Sequence, residues 1–165
     1  LLLNGQVDCV FVAGRLEHGR YHSLKAFSEQ LVLVGSAPMT KMPSSQALLT
    51  SAFLAFRQGC SYRQRIELLL ASQGVNAGRI FEFGSLDAML GCVAAGMGYT
   101  VLPRGTVEAH QHRFGIHTLA LPASIANIDT YFVAPEPETW TPALASFAET
   151  LRDAVVEDEL QLTAS

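Results

Sequence analysis

The stretch that most constrains this chain is residues 79–103, RIFEFGSLDAMLGCVAAGMGYTVLP. The apolar run at 80–83 predicts a short strand, and Gly84 turns the chain. Ser85 is placed to cap a helix, its hydroxyl accepting a first-turn N–H, while Asp87 suits the positive helix end. Leu86, Met89, Leu90, Val93, Ala94 and Met97 then recur at helical spacing and predict one buried stripe. Gly96 and Gly98 supply the stop, and residues 99–102 predict a second strand closed by Pro103. Loops this short between a strand, a helix and a strand require the strands to run parallel and the helix to pack on their sheet. The chain is therefore of the α/β class.

Its composition agrees. With 165 residues, 49% of them hydrophobic and 16% charged, the chain has enough apolar side chains for one or two compact units, which excludes a disordered segment. The net charge is −4 and the eleven Lys and Arg residues are scattered, so there is no electrostatic footprint of a nucleic-acid-binding face. No run reaches the ~18 apolar residues that would span a bilayer. Residues 1–3 lack the basic flank and length of a signal peptide, so this sequence carries no export label. Cys9, Cys60 and Cys92 have no metal-ligand spacing, and their odd number predicts small buried hydrophobes in a reducing compartment. Cys60, just before a helix start, is the one placed for reactivity.

The remaining elements follow from periodicity and turn residues. Residues 1–6 read as a last helical turn ending at Asn4 and Gly5, so the sequence opens inside an element, and residues 7–12 read as a strand buried on both faces. Strands are predicted at 23–27, 30–35 and 53–56, with residues 37–47 a loop marked by Pro38, Pro43 and the serine pair 44–45. Ser61 is placed to cap a helix running to Gln73, with Tyr62, Ile66, Leu69 and Leu70 inward and Gly74 beyond its end. Residues 104–114 predict a short helix and a loop, and 116–121 and 129–133 two strands. A last helix over 142–156, capped by Thr141, buries Leu144, Phe147, Ala148, Leu151 and Val155.

Three stretches resemble one family. SLDAMLGCVAAGMGYTVLP is similar to the C-terminal signature of LysR-type transcriptional regulators, in which a helix carrying V-A-A-G-x-G leads into a strand ending in L-P. LLLNGQVDCVFVAG is similar to the L-L-x-G-x-L-D-x-x-F-V stretch of the family's first regulatory subdomain, and FRQGCSYRQRIE to the F-R-x-G-C-S-Y-R-x-R phrase of one LysR subgroup. The resemblance implies an α/β, two-lobed, periplasmic-binding-protein-like (type II) fold with crossing strands. Residues 1–34 and 129–157 would form a first lobe, residues 35–128 a second, and 158–165 a flexible tail. It also implies an incomplete first lobe, because family members carry about 50 further residues and a winged helix-turn-helix before this point. The implied partners are a small-molecule effector, further copies of the chain (a dimer, and a tetramer at full length) and DNA only through that missing N-terminal domain. No membrane partner and no cofactor are implied, and the compartment is the cytoplasm.

The search for chemistry points to binding. Ser61 lies in G-C-S and Ser85 in G-S-L-D, neither of which is the nucleophile elbow of a hydrolase, so no enzyme is expected. His110 and His112 form H-x-H, but without further ligands at metal spacing they predict a solvated loop rather than a metal site. In two-lobed α/β proteins an anion sits at strand ends and helix N-termini. Three such places occur here, at Ala13 and Gly14, at the segment Phe56, Arg57, Gly59, Cys60 and Ser61, and at Gly84 and Ser85, with Pro103 on the rim. The family resemblance implies effector contacts at two of these places, the loop after the strand at 7–12 and the loop at 56–61, in a cleft between the two lobes. Each residue also has a plainer use, Arg57 as a surface charge, Ser61 as a cap and the glycines as turn formers, and the two uses are compatible. The competing reading is a solute-binding protein of a transport system, which uses the same fold.

Overall fold

A computed structural model of the chain describes residues 2–14, 21–75 and 79–163. A 3-10 turn at Leu2–Asn4 precedes β1 (Val10–Ala13), and β2 (His22–Gly35) follows as one strand of 14 residues where the sequence predicts two. No glycine or proline interrupts β2 at residues 27–30, so the ladder has no reason to break there. Then come α1 (Ser45–Thr50), β3 (Ala52–Ala55), α2 (Ser61–Ser72), β4 (Arg79–Glu82), α3 (Leu86–Ala94) and β5 (Gly98–Pro103). The chain ends with α4 (Arg104–Phe114), β6 (His117–Ala120), α5 (Ala123–Ala126), β7 (Asn127–Ala134) and α6 (Pro142–Thr163).

Several expectations are corrected. Residues 7–9 are not strand, and β1 is half exposed, with Phe11 at 47%, rather than buried on both faces. The serine pair 44–45 does not mark a loop. Ser44 caps α1, its hydroxyl accepting from the Ala47 N–H at 3.2 Å. The segment 104–114 is helical throughout and stops at Gly115, whose φ of +65° suits a residue without a Cβ. Met97 is 43% exposed instead of joining the buried stripe of α3, because the helix has already ended and Gly96 takes φ +79° before it. α6 continues past Val156, through most of the expected tail, as far as Thr163, and residues 164–165 lie outside the described residues.

The chain divides into two units, Leu1–Ser28 with Ile128–Ser165, and Glu29–Asn127. In the second, the strand order is β6-β2-β5-β3-β4. β3 pairs in parallel with both β4 and β5, and β2 pairs antiparallel with β5 and β6. The strand–helix–strand unit is thus present with its two strands parallel, but β3 lies between them. At that crossing Gly98 is required, because a Cβ there would collide with the Ala52 carbonyl oxygen. The core is aliphatic, with Val32, Val34, Leu54, Met89, Leu90 and Leu102 at its centre. Here β2 is buried along its whole width from Leu31 to Gly35, as a strand flanked on both sides must be.

In the first unit β7 lies between β1 and the beginning of β2, and β1 pairs antiparallel with β7 from Val10↔Val133 to Ala13↔Thr130. Phe132, Ala134, Leu144, Ala148 and Ala26 form its core. Thr141 caps α6 as predicted, accepting from the Leu144 N–H at 3.2 Å. Phe147, expected inside, is 46% exposed and forms an aromatic group with Phe11 and Phe132. The Asp129 carboxylate accepts a 2.7 Å hydrogen bond from the Ser28 hydroxyl and pairs with Lys25 at 3.0 Å.

Candidate functional site

The exits of β3 and β4 converge in the second unit. The Phe83 N–H donates to the Ala55 carbonyl at 2.8 Å, which carries the pairing of these strands one residue past their ends. After Phe56 the chain turns tightly. The Cys60 N–H donates to the Arg57 carbonyl at 3.1 Å, and Gly59 adopts φ +92°, a conformation open to glycine at no steric cost. Phe56, Arg57, Gln58, Cys60, Phe83 and Gly84 line a pocket of 340 Å³ at this end of the sheet. Four of the ten residues singled out from the sequence therefore meet in one place. Such a location, outside the carboxyl ends of parallel strands, is where open α/β sheets hold ligands.

The start of α2 differs from the expectation in its cap. The turn at Arg57 to Cys60 begins the helix one residue early, so Cys60 is the capping position and Ser61 the first helical residue. A thiol makes no side-chain cap here, whereas Ser44 and Ser85 cap α1 and α3. An uncapped first turn retains its attraction for an anion, through its N–H groups and the positive end of the helix dipole. Gly59 belongs to the same turn. Ser85, the N-cap of α3, accepts from the Ala88 N–H at 3.4 Å, as predicted. Pro103 is buried at the end of β5 and precedes α4. Ala13 and Gly14 lie in the first unit, where Ala13 ends β1 and the Gly14 N–H donates to the Asp129 carbonyl at 2.8 Å.

Two arginines flank this turn and their surroundings differ. Arg63 is held by Glu67 at 3.3 Å and by Glu82 at 3.5 Å. Arg57 is exposed at the pocket and pairs with no carboxylate among the described residues. Next to it, the Tyr62 hydroxyl donates to the Glu29 carboxylate at 2.9 Å. Burial foremost, and then that hydrogen bond and the charge of Glu29, push the Tyr62 phenol well above its usual range, so it remains a donor at every working pH.

Gln58 and Phe83 line the pocket and were not singled out from the sequence. Phe83 is the residue that follows an apolar strand and precedes a Gly-Ser turn, which is the signal that would have found it. H-x-H proves to lie within α4, where residues two apart face different sides. The His110 Nδ1 donates to the Thr106 carbonyl at 2.8 Å, and no group of three or more metal-ligating side chains exists among the described residues.

A family model for the LysR substrate binding domain matches residues 1–156. The chain belongs to the LysR substrate-binding domain family. It is 33% identical over 152 residues to the HTH-type transcriptional regulator GltR of Bacillus subtilis (strain 168), covering 92% of this chain and 51% of that protein. The chain spans about half the length of the curated relatives it matches. Among solved structures, the regulatory domain of Synechocystis PCC6803 CcmR in complex with 2-PG superposes with a TM-score of 0.75 at 20% identity, covering 93% of this chain and 76% of that one. The effector binding domain of QuiR in complex with shikimate gives 0.71 at 19%, covering 91% and 72%. The fold of this LysR domain is therefore the periplasmic-binding-protein-like one of LysR regulatory domains. No helix among its described residues is long and apolar enough to cross a membrane.

Proposed function

We propose that this LysR domain is the effector-sensing part of a transcriptional regulator, binding a small anionic molecule at the pocket lined by Arg57 and passing the change to a DNA-binding segment outside this chain. The observation that carries the reading is Arg57 itself, an arginine with no carboxylate partner among the described residues, beside the uncapped N-terminus of α2. A guanidinium there supplies a planar, permanently charged donor fork, and α2 supplies N–H groups at the same place, so the two together favour a carboxylate. Phe56 and Phe83 provide an apolar wall against the rest of the ligand. Complexes with small molecules in the CcmR and QuiR domains support the same kind of role.

Binding works by population shift. A ligand that prefers one conformation of the domain raises its share, and an oligomer of regulators transmits that difference to the operator. The assembly is a dimer through this domain and a tetramer at full length, it acts in the cytoplasm, and it performs no catalysis. A thermal-shift screen of small carboxylates, aromatic acids and amino acids tests the reading. A ligand at 100 times its dissociation constant adds about 2.7 kcal/mol. The expected result is a stabilising ligand whose effect Arg57→Ala removes, and stabilisation that persists undiminished in Arg57→Ala contradicts it.

A further inference from the structure

The second unit holds another cavity, of 420 Å³, larger than the one beside Arg57. It lies at the opposite end of the parallel strands, since its wall includes Ala52, Arg79 and Gly98, the first residues of β3, β4 and β5. The Arg57 pocket sits at the exits of β3 and β4, so the two are separated by the length of the sheet. We infer that this second cavity is a binding site for a small aromatic monocarboxylate, with its charge at Arg79.

The lining specifies that chemistry. Arg79 is exposed, pairs with no carboxylate among the described residues, and sits with its guanidinium carbon 5.8 Å from the centre of the Phe81 ring. Among the described residues no acidic side chain lines the cavity. Phe81, Met97, Met39 and Tyr99 supply rings and thioethers, and Phe81 and Met97 are 38% and 43% exposed, large apolar surface that an aromatic ring would cover. Ser36 and Tyr99 also line it, and neither hydroxyl has a hydrogen-bond partner among the described residues, which leaves both as donors within the cavity wall.

Electrostatics decides against a more highly charged ligand. α1 ends at Thr50 and α3 at Ala94, and Thr50 and Gly96 both line the cavity, so it lies at the C-terminal ends of two helices. Those negative ends offset part of the Arg79 charge. A single negative charge on a flat apolar body satisfies the site, while a phosphate dianion does not.

Fluorine NMR of the 165-residue chain with 4-fluorobenzoate and 4-fluorophenylacetate tests this, with 4-fluorobenzyl alcohol and inorganic phosphate as comparisons. Arg79→Ala removes the charge and Ala37→Trp fills the cavity, both at exposed positions, Arg152→Ala on α6 is the control for loss of a charge that lines neither cavity, and Arg57→Ala reports on the other pocket. The expected result is saturable binding of a fluorinated carboxylate, weakened at least about tenfold by Arg79→Ala and by Ala37→Trp, unchanged in Arg152→Ala, with the alcohol weaker and phosphate not competing. Three outcomes overturn the inference. They are absence of saturation by about 5 mM, equal binding in wild type and Arg79→Ala with unchanged circular dichroism and melting temperature, and loss of binding in Arg57→Ala alone.

Discussion

Arg57 and Arg63 stand six residues apart around one helix start, and their partners give them different tasks. Arg63 is neutralised by two carboxylates and holds α2 to β4, so Arg63→Ala is a stability change. Arg57 has no such tie among the described residues, and its replacement is expected to change binding with little effect on folding. Gly98 is a second decisive residue. Gly98→Ala drives a Cβ into the Ala52 carbonyl oxygen and is expected to cost roughly 1–3 kcal/mol, read from urea unfolding. Asp129 gives a pH signature. The hydrogen bond from Ser28, and then Lys25, hold its carboxyl below the usual range. Its contribution is therefore complete above the ordinary carboxylate value of about 4 and is lost as pH falls through the lower folded value. Asp129→Asn is expected to flatten the pH dependence of unfolding in that acid window while shifting neutral-pH stability by no more than about 1 kcal/mol, since the pair is half exposed. Unfolding curves on both sides of pH 4 check it.

At the scale of elements, α2 is the part that joins pocket and core. Ile66, Leu69 and Leu70 are buried beneath it, and Ile66→Ala is expected to cost about 2–5 kcal/mol in a denaturant melt. Its first turn is tied to β2 by the Tyr62–Glu29 hydrogen bond. Tyr62→Phe is expected to lower stability by about 1 kcal/mol and to weaken any ligand bound at Arg57, whereas equal affinity in the variant would show that the tie does not position the turn. The apolar stripe of α2 was legible from its spacing, and so was the Ser85 cap of α3. The cap of α2 was not, because G-C-S offers two adjacent candidates and a backbone bond from Cys60 to Arg57 decides between them. α1 has six residues and buries only Leu48, too little periodicity to be seen among prolines and serines. Short loops revealed that β4 and β5 run parallel, but local sequence carries no information on which strand lies between them.

For the whole molecule, three short phrases spread from residue 1 to 103 pointed to a LysR regulatory domain, and the family match over residues 1–156 bears this out. Local signals thus identified the fold, while the pocket emerged only where separate elements meet, with Phe83 and Gly84 brought beside Phe56 and Arg57 by the pairing of β3 and β4. The central claim, that this chain binds a small anion where α2 begins, is tested most directly by mapping amide chemical shifts in a nitrogen-15-labelled sample during titration with the carboxylate found in the screen. The amides of Arg57, Cys60, Tyr62 and Gly84 are expected to move together and saturate, and these movements to disappear in Arg57→Ala. Saturable shifts confined to residues away from this turn, unchanged in Arg57→Ala, would contradict it.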